Sequence, residues 1–178
     1  MGKRRKLKQR CYVDHPRYGN EPIKSGFNFT KEEIDHSFWG YQWLNYFPYT
    51  AIPANIEKQN YSTYPRSLYV DIEASCEVCN RLFIFFAKEQ QYWYEELGFY
   101  VDASCNRCTD CRKNDQKIRS MQLEYELLNA NPNRSEKDNR QLKTITMELY
   151  QLGYIKHADK INRIKLNKDS IPTKPCQE

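Results

Sequence analysis

The sequence predicts a small α+β protein, with a β-hairpin plus a helix at its centre, an aromatic-rich extended N-terminal region before them, and a C-terminal helical extension of two to three helices. Three observations carry this. The β-favouring runs RSLYVDIEAS and RLFIFFA flank the short stretch CEVC; 14 of the 25 aromatic residues fall between Cys11 and Val70; and apolar residues recur at steps of three and four from Ile118 to Ile164. Period two with β-favouring residues reads as strand, and a step of three to four as helix.

The elements follow in order. Residues 1–10 form a basic arm, since one Leu among six positive charges cannot offset the entropy of ordering. Residues 11–68 pass through Pro16, Pro22, Pro48, Pro53 and Pro65 with little periodicity, which predicts extended, wrapping loops. One short helix interrupts them: Thr30 with Glu33 three positions later is a reciprocal capping pair, so the helix starts near Lys31 and weakens at Gly40. Residues 69–113 hold the hairpin and then KEQQYWYEELGFY, where Tyr92, Trp93 and Leu97 offer an apolar helical face that Gly98 stops.

Residues 114–166 are the helical extension. Ile118, Met121, Tyr125 and Leu128 mark one face, and NANPNRS makes a turn at Pro132. Ser135 with Asp138 starts a second helix, faced by Leu142, Ile145, Leu149 and Leu152 and broken at Gly153. Ile155, Ala158, Ile161 and Ile164 suggest a third, shorter one. Residues 167–178 show no pattern and read as a flexible tail.

Composition asks for a staple. Apolar content is 39% and the mean hydropathy is −0.92, lean for a domain held by burial alone. The net charge of +5 conceals three blocks: six basic and no acidic residues over 1–10, 8 against 14 over 11–111, and 14 against 9 over 112–178. The central block is therefore acidic. The basic start is followed by CYVDHPRYGN, with no apolar run of the length a signal peptide or membrane span requires, so a cytoplasmic location and no membrane partner are expected. In that compartment thiols stay reduced, and paired C-x-x-C spacings point to metal ligands.

Cys76, Cys79, Cys105, Cys108 and Cys111 offer five sulfurs where one tetrahedral structural zinc takes four. The echo of ASCEVCNR in ASCNRCTD would choose Cys76, Cys79, Cys105 and Cys108. Backbone chemistry favours Cys76, Cys79, Cys108 and Cys111. Asn80, after the first pair, tolerates the left-handed conformation a knuckle turn requires, whereas the β-branched Thr109 after Cys108 does not. CTDCRKNDQKIRSM resembles a helix start, with Thr109 and Asp110 able to accept backbone N–H bonds and the sulfurs at the positive end of the dipole. A knuckle plus a helix N-terminus is the arrangement called a treble clef. Cys105 is then a spare thiol or alternative ligand, while Cys11 and Cys176 read as inert.

The stretch CEVCNRLFIFFAKEQQYWYEELGF followed by RCTDCRK resembles a bacterial family of probable zinc-ribbon or treble-clef-like zinc-binding domains, mostly small and uncharacterised proteins. The likeness is dense from Tyr69 to Lys113 and reaches, in longer members, HPRYGNEPIKSG and TAIPANIEKQNYS. It implies one zinc ion, the second ligand pair at Cys108 and Cys111, and no counterpart of Cys105 in short members. Thr109 stands where a proline is usual.

Four thiolates close the metal's coordination shell, and catalytic zinc keeps a position open, so no catalytic residue and no small-molecule substrate are expected. Three histidines, His15, His36 and His157, leave no zinc-nuclease ligand set, and His15 in VDHPRYG reads as orienting a turn. The expected function is a non-enzymatic zinc protein presenting a protein-interaction surface, for which the exposed members of its Tyr, Trp and Phe clusters are suited. The alternative is RNA or DNA binding through Lys3, Arg4, Arg5, Lys6, Lys8 and Arg10 of the arm with Arg112, Lys113, Lys117 and Arg119 after the cysteines.

Overall fold

The computed structural model describes residues 11–166, so the basic arm and the tail with Cys176 lie outside the described residues. Two compact units, Met1–Arg112 and Lys113–Glu178, divide the chain.

In the first unit the expected capping box is formed: Thr30 Oγ1 accepts the Glu33 N–H and the Glu33 carboxylate accepts the Thr30 N–H, opening α1 at Lys31–Ser37. A 3₁₀ turn over Trp39–Trp43 follows. Three antiparallel strands, β1 (Asn45–Pro53), β2 (Leu68–Ser75) and β3 (Leu82–Phe85), form a sheet in the order β1-β2-β3. Leu68 to Ile72 of the central strand are all buried, which is why that run reads as continuously apolar apart from Asp71.

The strand β1 corrects the sequence reading of 11–68, which placed only loops around the prolines. Pro53 ends an edge strand, where a missing N–H costs no ladder bond, and Pro48 sits in a bulge between Phe47 and Ile52 where pairing to β2 is interrupted. The bulge turns Thr50 inward, where its hydroxyl accepts the Asp71 N–H at 2.8 Å and donates to the Phe47 carbonyl at 2.7 Å.

After β3, α2 (Ala87–Gln91) widens into a π-helical turn over Tyr92–Glu96. The wider turn rotates the buried face. Tyr94 is fully buried and donates to the Ala103 carbonyl, whereas Tyr92 and Leu97, expected inside, are 43% and 46% exposed. Only Trp93 of the expected trio packs inward, against Phe85.

The core of this unit joins Ile34, Phe38, Tyr41, Tyr69, Val70, Phe85 and Tyr94. Within it lies a buried cation. The Arg66 guanidinium stands 3.9 Å from the Phe38 ring centre, 4.9 Å from Tyr94 and 5.7 Å from Tyr41 and donates to Gln90 Oε1 at 3.4 Å; among the described residues no carboxylate pairs with it, so ring faces carry the charge. Gln59 brackets the Arg66 backbone, accepting its N–H and donating to its carbonyl. Asp71 ties three segments together: its two oxygens accept the N–H groups of Ala87 and Ile23 at 2.6 and 2.9 Å, from β2.

In the second unit, α3 (Thr109–Ala130, which begins in the first unit) and α4 (Glu136–Gln151) enclose a small core of Ile118, Met121, Ile145, Leu149 and Ile155, with Tyr125 and Leu128 beside it. Arg134 closes α3 by donating to the carbonyls of Leu128, Asn129 and Asn131, and the Ser135–Asp138 capping box opens α4. Gly153, at φ 80°, ends it. Leu142 of the expected face is buried, but Leu152, past the last turn, is exposed. The third helix, α5, is only Asp159–Asn162.

Burial pushes the Asp71 carboxyl up to about 6, against the pull of the Ala87 and Ile23 N–H groups and the charge of Lys88. The stability this group contributes is therefore whole below its unfolded value of about 4 and is lost as pH rises through about 6. Carbon-13 NMR of the Asp71 carboxyl is expected to show a midpoint near 6; an ordinary carboxylate midpoint would contradict the assignment.

Candidate metal centre

The hairpin of β2 and β3 carries the first two cysteines at its tip. The Cys76 N–H donates to the Arg81 carbonyl and the Asn80 N–H to the Cys76 carbonyl, a tight knuckle that forces Asn80 to φ 57°. It is the one non-glycine residue with positive φ among the described residues, and asparagine is among the few side chains that adopt it at modest cost. The knuckle is tied to the next loop by the Glu77 N–H to the Asn106 carbonyl at 2.9 Å and by the Asn106 amide to the Glu77 carboxylate at 2.6 Å. That loop delivers Cys108, and the first turn of α3 delivers Cys111.

The structure brings together the sulfurs of Cys76, Cys79, Cys108 and Cys111, all within 4.8 Å of one another. Cys79 and Cys108 are 3.7 Å apart, far beyond a disulfide. Four sulfurs at a Zn–S distance of about 2.3 Å on a tetrahedron stand about 3.8 Å from each other, so the spacing suits a zinc-sized ion. No His, Asp or Glu joins the cluster among the described residues.

The four thiols are electrostatically divided. Burial raises the Cys76 thiol, but the N–H groups of Cys108, Cys79 and Val78 aimed at its sulfur outweigh that and bring it to about 6. Burial and then the Cys111 N–H act in opposite directions on Cys108, whose value ends raised; burial and the thiols of Cys108, Cys76 and Cys79 push Cys111 up to about 12. The Arg81 guanidinium lowers Cys79 as well, so the two knuckle sulfurs are favoured as anions while the two at the helix start are held back by burial and crowding. A divalent ion removes that conflict, because coordination deprotonates thiols outright.

The sequence missed Arg81. Its Nε lies 3.3 Å from Cys79 Sγ, and its Nη2 lies 4.0 Å from Cys108 Sγ and 3.0 Å from Asp110 Oδ2. A guanidinium thus faces two sulfurs of the cluster and is itself oriented by the helix start. Nothing in the run CNR distinguishes it from a solvated surface arginine, because its role depends on the sulfur and on Asp110, 29 positions away.

Other expected residues fall differently. Cys105 is buried outside the cluster, its thiol donating to the Arg107 carbonyl at 3.2 Å and pushed up to about 11 by burial. Thr109 and Asp110 do not cap α3: the Thr109 hydroxyl donates to the Asp14 carbonyl at 2.9 Å, and Asp110 holds Arg81. Cys108 takes over, its carbonyl accepting the Arg112 N–H and its sulfur the Cys111 N–H. Arg112, grouped by sequence with the phosphate-facing cations, turns inward to Glu89 at 2.7 Å beside Trp93 and is only 28% exposed. Lys113, Lys117 and Arg119 are exposed on α3, with Lys117 3.9 Å from Glu148; Lys3, Arg4, Arg5, Lys6, Lys8 and Arg10 lie outside the described residues. His15 sits in a turn closed by its backbone on Gly19, its Nδ1 accepting the Arg17 N–H and its ring stacked on Tyr18. Burial lowers its pKa, so the imidazole is neutral near pH 7.

Two predictions follow from this geometry. Cys76→Ser and Cys111→Ser are expected to lose bound metal when metal content is measured on purified protein, and Cys105→Ser to retain it. Arg81→Ala, which removes a hydrogen bond to a ligand sulfur, is expected to weaken metal binding about tenfold in a chelator competition, with Arg81→Lys restoring part of the loss; equal affinities for all three forms would refute the role given to the guanidinium.

Residues 70–120 match a family model described as "probable treble clef domain". No curated protein and no solved structure matches the chain. The matched span covers β2, the knuckle, β3, α2 and the first half of α3, and with all four clustered sulfurs inside it, this segment of the chain is a treble-clef domain carrying a four-cysteine metal site.

Proposed function

We propose that the chain is a non-enzymatic protein that binds one structural zinc ion and presents a surface to a protein partner in the cytoplasm. The closed, all-sulfur donor set carries the first half of this reading. A metal that has four protein ligands offers no position to a substrate or water, and Arg81 further lowers the nucleophilicity of the sulfurs it faces. The zinc's contribution is then folding free energy, joining the hairpin tip to the front of α3.

The second half rests on Leu123 and Leu127, one helical turn apart on α3 and 62% and 74% exposed. On an otherwise charged helix such a pair is the anchor pattern of a helix that docks into a groove or against another helix. Nucleic-acid binding is the weaker reading, because Arg112 is withdrawn into an ion pair and the cysteine-bearing segment is acidic.

A Leu123→Glu/Leu127→Glu double variant is expected to keep its metal and its melting temperature while losing the partner that the wild-type chain captures. In filter binding between about 50 and 300 mM salt, the full chain is expected to retain neither RNA nor DNA. Salt-sensitive retention that disappears on deleting residues 1–10 would instead favour the nucleic-acid reading.

A further inference from the structure

A cavity of about 320 Å³ opens in the first unit between the segment around Ile23, the β1 bulge and the start of α2. It lies on the sheet face that carries Asp71 and Thr50, and neither sequence motif nor metal centre accounts for it. Its walls are apolar, formed by Phe27, Ile52, Pro53 and Phe86. Its deepest side chains, Asp71 and Thr50, are 2% and 1% exposed and already committed: both Asp71 oxygens accept backbone N–H groups, and the Thr50 hydroxyl both accepts and donates to backbone. Its outer edge carries Lys24 and Lys88, both exposed; neither ammonium makes a hydrogen bond or a close ion pair among the described residues, although the Lys88 charge is felt by Asp71.

Two ammonium groups without a hydrogen-bonded carboxylate, at the lip of an apolar hollow, suit a ligand with an apolar body and one negative end. The floor cannot serve as the polar anchor, because its acceptors are satisfied and a carboxylate placed there would meet Asp71. The charged end must therefore face outward to the lysines while the body fills the hollow. The volume is at the small end of ligand pockets, sized for a chain of about six to ten carbons or a single ring with a short arm. We propose that this cavity binds a small apolar monocarboxylate, tail inward and carboxylate between Lys24 and Lys88. The inference stands on residues remote from the sulfurs and does not depend on the partner-binding reading above.

The test is calorimetric titration of the metal-loaded full chain with the straight-chain acids from pentanoate to decanoate, and with octan-1-ol and octylamine as controls. Affinity is expected to rise about fourfold per methylene until the hollow is full, then level. Octanoate is expected to bind at least tenfold more tightly than octylamine. Lys24→Gln/Lys88→Gln, at exposed positions, is expected to fold normally, to lose about tenfold for octanoate and to leave octan-1-ol unchanged. Equal binding of acid and amine, an unchanged octanoate affinity in the double variant, or no saturable binding up to about 5 mM of any acid would overturn the proposal. A leucine-terminated hexapeptide binding more tightly than octanoate would overturn the assignment to a free small acid.

Discussion

Four sulfurs within 4.8 Å of one another cannot all be thiolates without a cation among them, and the local fold is arranged around that conflict. The hairpin closes tightly enough to force Asn80 left-handed, which points the Cys76 and Cys79 sulfurs the same way. The helix start supplies the other pair, with its own N–H groups turned toward sulfur. A metal ion held by all four would tie the hairpin tip to the front of α3.

Positive charge is handled in three ways within the same unit, and each suits its place. Arg66, deep in the core, is held by the faces of Phe38, Tyr41 and Tyr94. Arg112, at the helix start, is paired with the buried Glu89, which His15 also faces at 3.5 Å. Arg81, on the surface, is spent on sulfur. Guanidinium suits all three, being planar, weakly hydrated and rich in fixed donors; lysine at any of them would lose stacking or a second hydrogen bond. The acidic balance of the central block thus reflects carboxylates that pair, cap or tie segments together as well as a solvated face.

Much of the fold was legible because local signals agreed with one another. Thr30 with Glu33 and Ser135 with Asp138 are capping pairs in sequence and in space, and Asn80 carries the positive φ that its position implied. The preference for Cys108 and Cys111 over Cys105 rested on the knuckle and on a helix start, and both describe the molecule: α3 begins at Thr109 with the two sulfurs at its front, although Thr109 and Asp110 engage Asp14 and Arg81 instead of capping it. The strand β1 was hidden because Pro48 and Pro53 break the pattern, and only the edge position and the bulge make them tolerable. The buried face of α2 was misread because a π turn shifts the angular step between side chains, a change that periodicity cannot register. Arg66 and Arg112 could not be told from surface arginines, since Gln90 and Glu89, which hold their guanidinium groups, lie 24 and 23 positions away.

The hydrogen bond from Thr109 to the Asp14 carbonyl spans 95 positions, and the Val13 N–H reaches the Leu82 carbonyl beside it. These contacts place the segment from Val13 to His15 across the hairpin and the helix entrance like a strap over two parts that must already be in position. Closing so wide a loop costs less entropy once those parts are joined, which favours docking the strap after the sulfur-bearing pieces have met. The order of assembly then runs against the order of synthesis: the earliest residues of the described chain wait for the middle before they find their place.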